Sequence, residues 1–510
     1  MNDVSPAPPP ASAPAGEPAG IAARVAKGAG WILASRLSMR LLGFANTIIV
    51  ARLLAPADFG LIAVGMTAVQ LLQGLSDIGV SQAVVKFRDA GRDEIDTLFT
   101  LSVLRGLFIA ALMLGAAPLA VSFYEDARMA HVFVGLALYP AIGGFINPRF
   151  FEFERAIDFS KEFIWEVTTK ILSVVVTIGV AYAFRSYWAI VWGVLAGTAT
   201  QVVLSYLMRP HFPRFTFRAA KKVLGFSGWL TGISFIVALS NKLDSFVLAR
   251  AVGPVLTGKY YVGFQMAELP TSELAWPIAR AFYPGLSAMQ GDRERMRAAY
   301  LRGVEALAAV AMPAALGFAF VSKDLIHVLL GAKWDGSALV VAWLTPAIGF
   351  NTVLIATQYY AMALGLQRLV FFRGLIMLLF KAPVFTWAAF AYGFNGAILA
   401  AAVATLFSGA LNLGIYARAS GRSLFEPLIA ARRSFLAAAA MSAFFFLVRP
   451  TLDLHLINSP YLRLALDIAL GGAIHIGALW LLWIRDGRPG GVERTAIDLL
   501  ARMRPRPAAR

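Results

Sequence analysis

The feature that most constrains this chain is a succession of long apolar segments, running from Lys27 to Ile484 and separated by short connections rich in Lys and Arg. Crossing the roughly 30 Å hydrocarbon layer takes about 20 apolar residues in a helix, and only helices or closed barrels satisfy their backbone polar groups there. Barrel strands need only about ten residues, so runs of this length predict helices. Composition agrees: 59% of the 510 residues are hydrophobic and 15% charged, whereas soluble domains carry about 25% charged residues. A soluble globule is excluded.

The expected spans are Lys27 to Val50, Gly60 to Val84, Ile95 to Phe123, Ala130 to Phe151, Phe163 to Phe184, Tyr187 to Met208, Val223 to Leu248 and Thr257 to Ala288. Leu301 to Val321, Ala338 to Leu364, Leu369 to Tyr392, Ala397 to Ala417, Phe435 to Val448 and Leu462 to Ile484 follow. The thirteenth is short for a full crossing, so the expectation is 12 to 14 transmembrane helices.

Cytoplasmic connections carry an excess of Lys and Arg, and the connections here divide into two sets. Those after even-numbered spans hold Lys86, Arg88 and Arg92, then Arg155 and Lys161, then Arg209, Arg214, Arg218, Lys221 and Lys222, with Arg293, Arg295 and Arg297 and finally Arg418, Arg422, Arg432 and Arg433. Those after odd-numbered spans hold fewer, such as Arg52, Arg128, Arg185 and Arg449. Both termini are therefore expected in the cytoplasm. The net charge of +17 is read as this topology signal and not as a nucleic-acid footprint. Residues 1–23 are expected to be a disordered Pro/Ala-rich cytosolic arm and not a cleavable signal peptide. Residues 486–510 are expected to be a basic cytosolic tail in which Val492, Ala496, Leu499 and Met503 share one helix face, suited to the bilayer surface.

An internal repeat organises the segments. Setting ARLLAPADFGLIAVG from Ala51 beside ARAVGPVLTGKYYVG from Ala249, an offset of 198 residues, pairs Arg52 with Arg250, Pro56 with Pro254, Gly60 with Gly258 and Gly65 with Gly263. The same offset pairs Gly30 with Gly228 and Trp31 with Trp229. It crosses six spans, an even number, so the copies run in the same direction and are expected to be related by an axis along the membrane normal. The fold class is thus all-α: a polytopic membrane protein with two six-helix lobes, 24–209 and 210–418, around a central cavity, plus an additional helix pair at 419–485.

There is no cysteine, which removes disulfides and thiolate chemistry, and the five histidines are scattered without metal-site spacing. No hydrolase, kinase or dinucleotide motif is present and no connection is long enough for a soluble catalytic domain, so neither enzymatic activity nor a cofactor is expected. Charged residues within a span are functional candidates by default. Arg36 and Arg40 lie one turn apart on the first span, with Asn46 beyond them. The seventh carries Asn241, Lys242 and Asp244, the eighth Glu268, Glu273 and Arg280, and the eleventh Lys381. A net-basic cavity lined by Arg36, Arg40, Lys242 and Lys381 suits a phosphate-bearing anion, while Asp244 and Glu273 are candidates for ion coupling. Mutual neutralisation of Lys242, Arg280 and Lys381 by the three carboxylates is the alternative. Glu166 and Lys170 are spaced for a local ion pair, and Pro270, Pro277 and Pro284 are expected to bend the eighth span.

The stretch ARLLAPADFGLIAVGMTAVQLLQGLSDIGVSQAVVKFRD closely resembles the opening of bacterial polysaccharide-transport proteins. RFFEFERAIDFSKEF, SYWAIVWGVLAG, DSFVLARAVGPVLTGKYYVGFQMAELP, FYPGLSAMQGDRERM and VLLGAKWDGSALVVAWL resemble successive landmarks of the same family, in order, over roughly Lys27 to Tyr392. The resemblance places the chain in the multidrug/oligosaccharidyl-lipid/polysaccharide exporter superfamily. It implies a flippase of the bacterial inner membrane that moves an undecaprenyl-pyrophosphate-linked oligosaccharide for lipopolysaccharide, capsule or exopolysaccharide assembly. Its implied partners are that polyprenyl-linked saccharide, membrane lipid, a glycan polymerase and the chain-length machinery, with no nucleic acid. The alternatives are a multidrug or cation exporter of the same superfamily, and a membrane glycan polymerase or ligase.

Overall fold

The computed structural model describes residues 18–76, 84, 91–156, 158–274, 282, 285–289, 291–452, 459–488, 491 and 494. Among them all regular structure is helical, with no strand. The first half comprises α1 (Pro18–Leu53), α2 (Pro56–Leu75), α3 (Arg92–Tyr124), α4 (Arg128–Gly143), α5 (Phe159–Phe184) and α6 (Trp188–Met208). The second comprises α7 (Ala220–Leu274), α8 (Arg293–Phe320), α9 (Ser322–Leu330), α10 (Asp335–Val353), α11 (Ala356–Ala363) and α12 (Gln367–Ser420). After the short α13 (Glu426–Ala430) come α14 (Arg432–Ala443), which ends in a π turn at Phe444–Val448, and α15 (Pro460–Arg485).

Two of these helices are too long for one crossing and each breaks at a glycine. Gly253 (φ 78°) divides α7 into α7a (220–252) and α7b (254–274), and Gly393 (φ 62°) divides α12 into α12a (367–392) and α12b (394–420). Both glycines take the positive φ that side-chain-bearing residues avoid, and Pro254 then begins α7b at a position where a missing N–H costs nothing. With these breaks, each of the fourteen expected segments is mainly helical over its described residues, the fourth being interrupted at residues 144–147 and the tenth at residues 354–355. Among the described residues, and with α12 counted whole, ten helices are long and apolar enough to cross a membrane, or eleven when α4 and its continuation Pro148–Arg155, bent by 63°, count as one span.

These helices bury little of themselves inside the protein. Only 6% of the apolar window of α1, and 17% of those of α5 and α15, is covered by other residues, and Leu119, Phe446 and Leu447 are more than two-thirds exposed. Soluble monomers rarely present continuous apolar surface on this scale, so lipid must cover it. Inside, one apolar cluster fills the first half around Leu61, Met113, Val132 and Val191. Two fill the second, around Tyr300 and Tyr416 and around Leu344 and Phe385. A fourth is shared: Val50, Ala51, Leu54 and Phe59 of the first half pack with Val262, Ile326, Trp334 and Val341 of the second.

The link between the halves is fastened to the first. His211 and Asp96 of α3 are buried together at 2.9 Å, Thr100 accepts the Thr216 amide at 2.9 Å, and Asn147 Nδ2 donates to the Arg209 carbonyl at 2.7 Å. The additional pair is fastened to the second half at both ends: Arg433 of α14 pairs with Glu305 of α8, and Arg463 of α15 with Asp324 of α9 at 2.5 Å. Between these, Phe445 stacks on Phe320 with centroids 4.7 Å apart.

Three expectations need adjustment. Helix α1 begins at Pro18, inside the arm expected to be irregular through residue 23, because the Ala-rich sequence there extends the first span. Glu166 and Lys170 form no ion pair: Glu166 accepts the Ser35 hydroxyl of α1 instead. Val492, Ala496, Leu499 and Met503 of the tail, together with Pro277, Pro284 and Arg280, lie outside the described residues.

The charge asymmetry makes a prediction that the absence of native cysteine renders simple to check. Ala55→Cys and Ala127→Cys, both at exposed connections after odd spans, are expected to react with an impermeant thiol reagent in spheroplasts. Ala156→Cys and Gly291→Cys, exposed after even spans, are expected to react only after lysis. The reverse pattern overturns the orientation.

Candidate functional site

The charged residues within the spans gather where α1, α5, α7 and α12a approach. Asp244, on α7a, is buried and engaged at both oxygens. Its Oδ1 lies 2.7 Å from Nζ of Lys381 on α12a, and its Oδ2 accepts the Tyr260 hydroxyl of α7b at 2.8 Å. Lys381 Nζ also donates to the Ser240 carbonyl at 3.0 Å. These bonds tie together the two parts of α7 and the following long helix. A charge pair removed from water persists only when its geometry and additional hydrogen bonds offset desolvation; here the pair is in close contact, and the hydrogen bonds are supplied by Tyr260 at Oδ2 and by the Ser240 carbonyl at the lysine.

Beside this triad stands Glu268 of α7b, its side chain exposed at the surface of the fold and within coulombic range of Lys242, Arg40 and Lys381. Arg40 therefore reaches from α1, in the first half, toward groups that all belong to the second. Arg36 and Arg40 are both exposed on α1, one turn apart as their spacing requires. The side chain of Glu273 lies outside the described residues. Of the six expected site residues, the structure joins Asp244 to Lys381 directly and gathers Arg40 and Lys242 around Glu268.

Two cations were not legible as site residues. Lys170, on α5, lies against α1 where Gly43 has no side chain, its Nζ 3.8 Å from the place a Cβ would occupy, and among the described residues it has no carboxylate partner. Arg373, on α12a, donates to Ser408 of α12b, which in turn donates to Asn351 of α10 at 2.8 Å. Its buried Nε has no hydrogen-bond partner among the described residues, nor does the guanidinium meet a carboxylate there. The signal for Arg373 was present in the sequence: a lone arginine in LVFFRGLIMLLF, four residues into its span. Arg105, by contrast, is structurally engaged, donating to Ser76 Oγ at 3.2 Å and the Gln73 carbonyl at 3.3 Å.

The constellation is thus net basic. Arg40, Lys242 and Lys381 stand against Asp244 and Glu268, and such a surplus of cations in a low-dielectric setting favours an anionic guest. Among the described residues no group of His, Asp and Glu is arranged to hold a metal ion. Two surface cavities lie away from this place. One of about 580 Å³ is bounded by Arg52, His327, Lys333 and Tyr461, and one of about 350 Å³ by Arg302, Glu305, Arg432 and Asp486.

Known proteins resemble this chain in sequence and in fold. A family profile described as polysaccharide biosynthesis protein matches residues 49–339. An uncharacterized membrane protein in the cps region of Klebsiella pneumoniae is 26% identical, over 61% of this chain and 65% of its own length. The lipopolysaccharide biosynthesis protein WzxC of Escherichia coli is 23% identical, over 61% of this chain and 64% of its own length. The chain therefore spans just under two-thirds of each of these relatives. The succinoglycan biosynthesis transport protein ExoT of Rhizobium meliloti is 24% identical over 96% of this chain and 98% of its own length. Among solved structures, the lipid II flippase MurJ in an inward closed conformation superposes with a TM-score of 0.68 at 15% identity, covering 89% of this chain and 99% of MurJ. A multidrug resistance MATE family transporter, in an inward-facing conformation, gives 0.59 at 18% identity, covering 75% of this chain and 95% of that one.

Proposed function

Because this chain belongs to the polysaccharide biosynthesis protein family, we propose that it is a flippase of the bacterial inner membrane. It carries an undecaprenyl-pyrophosphate-linked oligosaccharide from the cytoplasmic to the extracytoplasmic leaflet. The observation that carries this reading is the net-basic constellation within the spans, in which Arg40 of the first half meets Lys242 and Lys381 of the second around Glu268. The pyrophosphate is the anion those cations hold, Arg36 and Arg40 through the planar fork that suits phosphate oxygens. The polyprenyl tail stays in lipid. Two lobes, 24–209 and 210–418, rock against each other to present the headgroup to alternate sides, the helix pair moving with the second lobe. Both termini stay in the cytoplasm.

The ties on Asp244 favour a structural role for that carboxylate over ion coupling, and leave coupling in this reading to Glu273. The names of the relatives support transport over catalysis. A glycan polymerase and its chain-length machinery then consume the saccharide on the far side.

Deletion of the gene is the test in the cell. The expected result is loss of the surface glycan with complete lipid-linked units accumulating on the cytoplasmic leaflet. Unpolymerised units at the outer face would assign a polymerase, and an unchanged glycan with new drug sensitivity would assign a multidrug exporter.

A further inference from the structure

The internal repeat meets itself in space. A Cβ placed on Gly60 of α2 would lie 1.9 Å from the carbonyl oxygen of Pro254, and one on Gly258 of α7b would lie 1.8 Å from that of Pro56. These are the residues that the 198-residue offset pairs, Pro56 with Pro254 and Gly60 with Gly258. Each Pro-x-x-x-Gly turn therefore seats its proline carbonyl against the glycine of the other, backbone against backbone, where no side chain can yield.

A second repeat-related pair reinforces the contact. Arg52, at the end of α1, crosses to the second half and donates to the carbonyls of Val328 and Leu329 at 2.7 and 2.9 Å, the last turn of α9, where orphan carbonyls accept cations well. Its counterpart Arg250 crosses the other way and pairs with Glu125, just after α3, at 3.0 Å. Trp334, fully buried, donates its indole N–H to the Ala51 carbonyl at 2.8 Å and meets Phe59 edge-on at 5.1 Å. Lys333 adds bonds to the carbonyls of Arg52 and Leu54 at 2.9 and 2.7 Å. All of these groups sit at or near connections that follow odd-numbered spans, the extracytoplasmic end by the charge count.

We propose that this seam is the exit gate: the outside opens only when the two Pro-x-x-x-Gly turns part and both crossed arginines release. The inference rests on the reading above for the alternation itself, while the seam's geometry stands independently. Because the link between the halves is bonded to the first half through Ala219, the parting motion bends the chain at or beyond residue 220.

The gate is tested with Gly43→Cys, half-buried on α1 and on the face that Arg36 and Arg40 share, where a side chain meets nothing nearer than Lys170 at 3.8 Å, as a reporter in the otherwise cysteine-free chain. An impermeant maleimide is applied to spheroplasts. Gly60→Ala, Gly258→Ala and the pair Arg52→Ala with Arg250→Ala are each expected to speed labelling from outside, by about tenfold for the arginine pair, whose loss weakens the closed state by two charged contacts. Both arginines are exposed, so that pair reports on the gate even where a glycine variant fails to fold. In a separate protein, joining Arg250→Cys to Glu125→Cys with a cleavable bifunctional reagent is expected to stop saccharide export, and cleavage to restore it. Labelling no faster in any folded variant, or export at the normal rate through the joined protein, overturns the proposal. Faster labelling in a protein that translocates no lipid-linked saccharide upholds the gate and removes the flippase reading instead.

Discussion

Asp244→Ala is expected to destabilise the protein by about 3–5 kcal/mol, because it leaves the Lys381 ammonium buried without its carboxylate. Only 12% of the lysine side chain is exposed, so water cannot replace the lost partner without rearrangement of α7 and α12. The Tyr260 hydroxyl loses its acceptor in the same substitution. Replacing both charges, as Asp244→Leu with Lys381→Met, is expected to recover most of the loss, since apolar residues of similar size often substitute for a buried pair at little cost. Thermal unfolding of the purified protein in detergent measures both. Equal stability of Asp244→Ala and the parent would show that the pair does not hold the two parts of α7 against α12a.

The second large effect concerns α1. Arg40→Ala is expected to reduce export about tenfold to a hundredfold at unchanged abundance, the scale set by a charge-assisted hydrogen bond of about 1.5–3 kcal/mol. Arg36→Ala acts in the same direction. Lysine at either place restores part of the activity, because it keeps the charge and loses the two-pronged geometry. Export is followed through surface glycan, and abundance by quantifying the protein in the membrane. A double alanine variant with full activity removes both arginines from the mechanism.

Much of this architecture was legible in the chain because each cue is local. The break in α7 follows from Gly253 and Pro254 standing together between two apolar runs, and the repeat was visible from an ungapped offset. Membrane embedding imposes a length and a polarity on every segment, so the helices could be placed without knowledge of their neighbours. The site was legible only in part, for the opposite reason. That Asp244 is an intramembrane carboxylate can be read from its own segment, but its pairing with Lys381 depends on how α12a crosses α7a. Glu166 and Lys170 illustrate the converse. Their spacing suits an ion pair, yet the packing of α1 on α5 offers Glu166 a serine hydroxyl and leaves the lysine facing Gly43. Nor could the repeat alone reveal that its two copies touch at Gly60 and Gly258, since the offset fixes equivalence and not proximity.

The central claim is that this chain moves a lipid-linked saccharide from one leaflet to the other. It is tested most directly by reconstituting the purified protein into vesicles whose inner leaflet holds undecaprenyl-pyrophosphate-linked oligosaccharide, and following exposure of the glycan to an external glycan-cleaving enzyme or lectin. The account predicts that exposure rises with protein content, and that Arg36→Ala with Arg40→Ala in one chain, incorporated to the same level, slows it toward the rate of protein-free vesicles. Exposure no faster than in protein-free vesicles, from protein that remains folded and is tested with the saccharide of its own source, would contradict it.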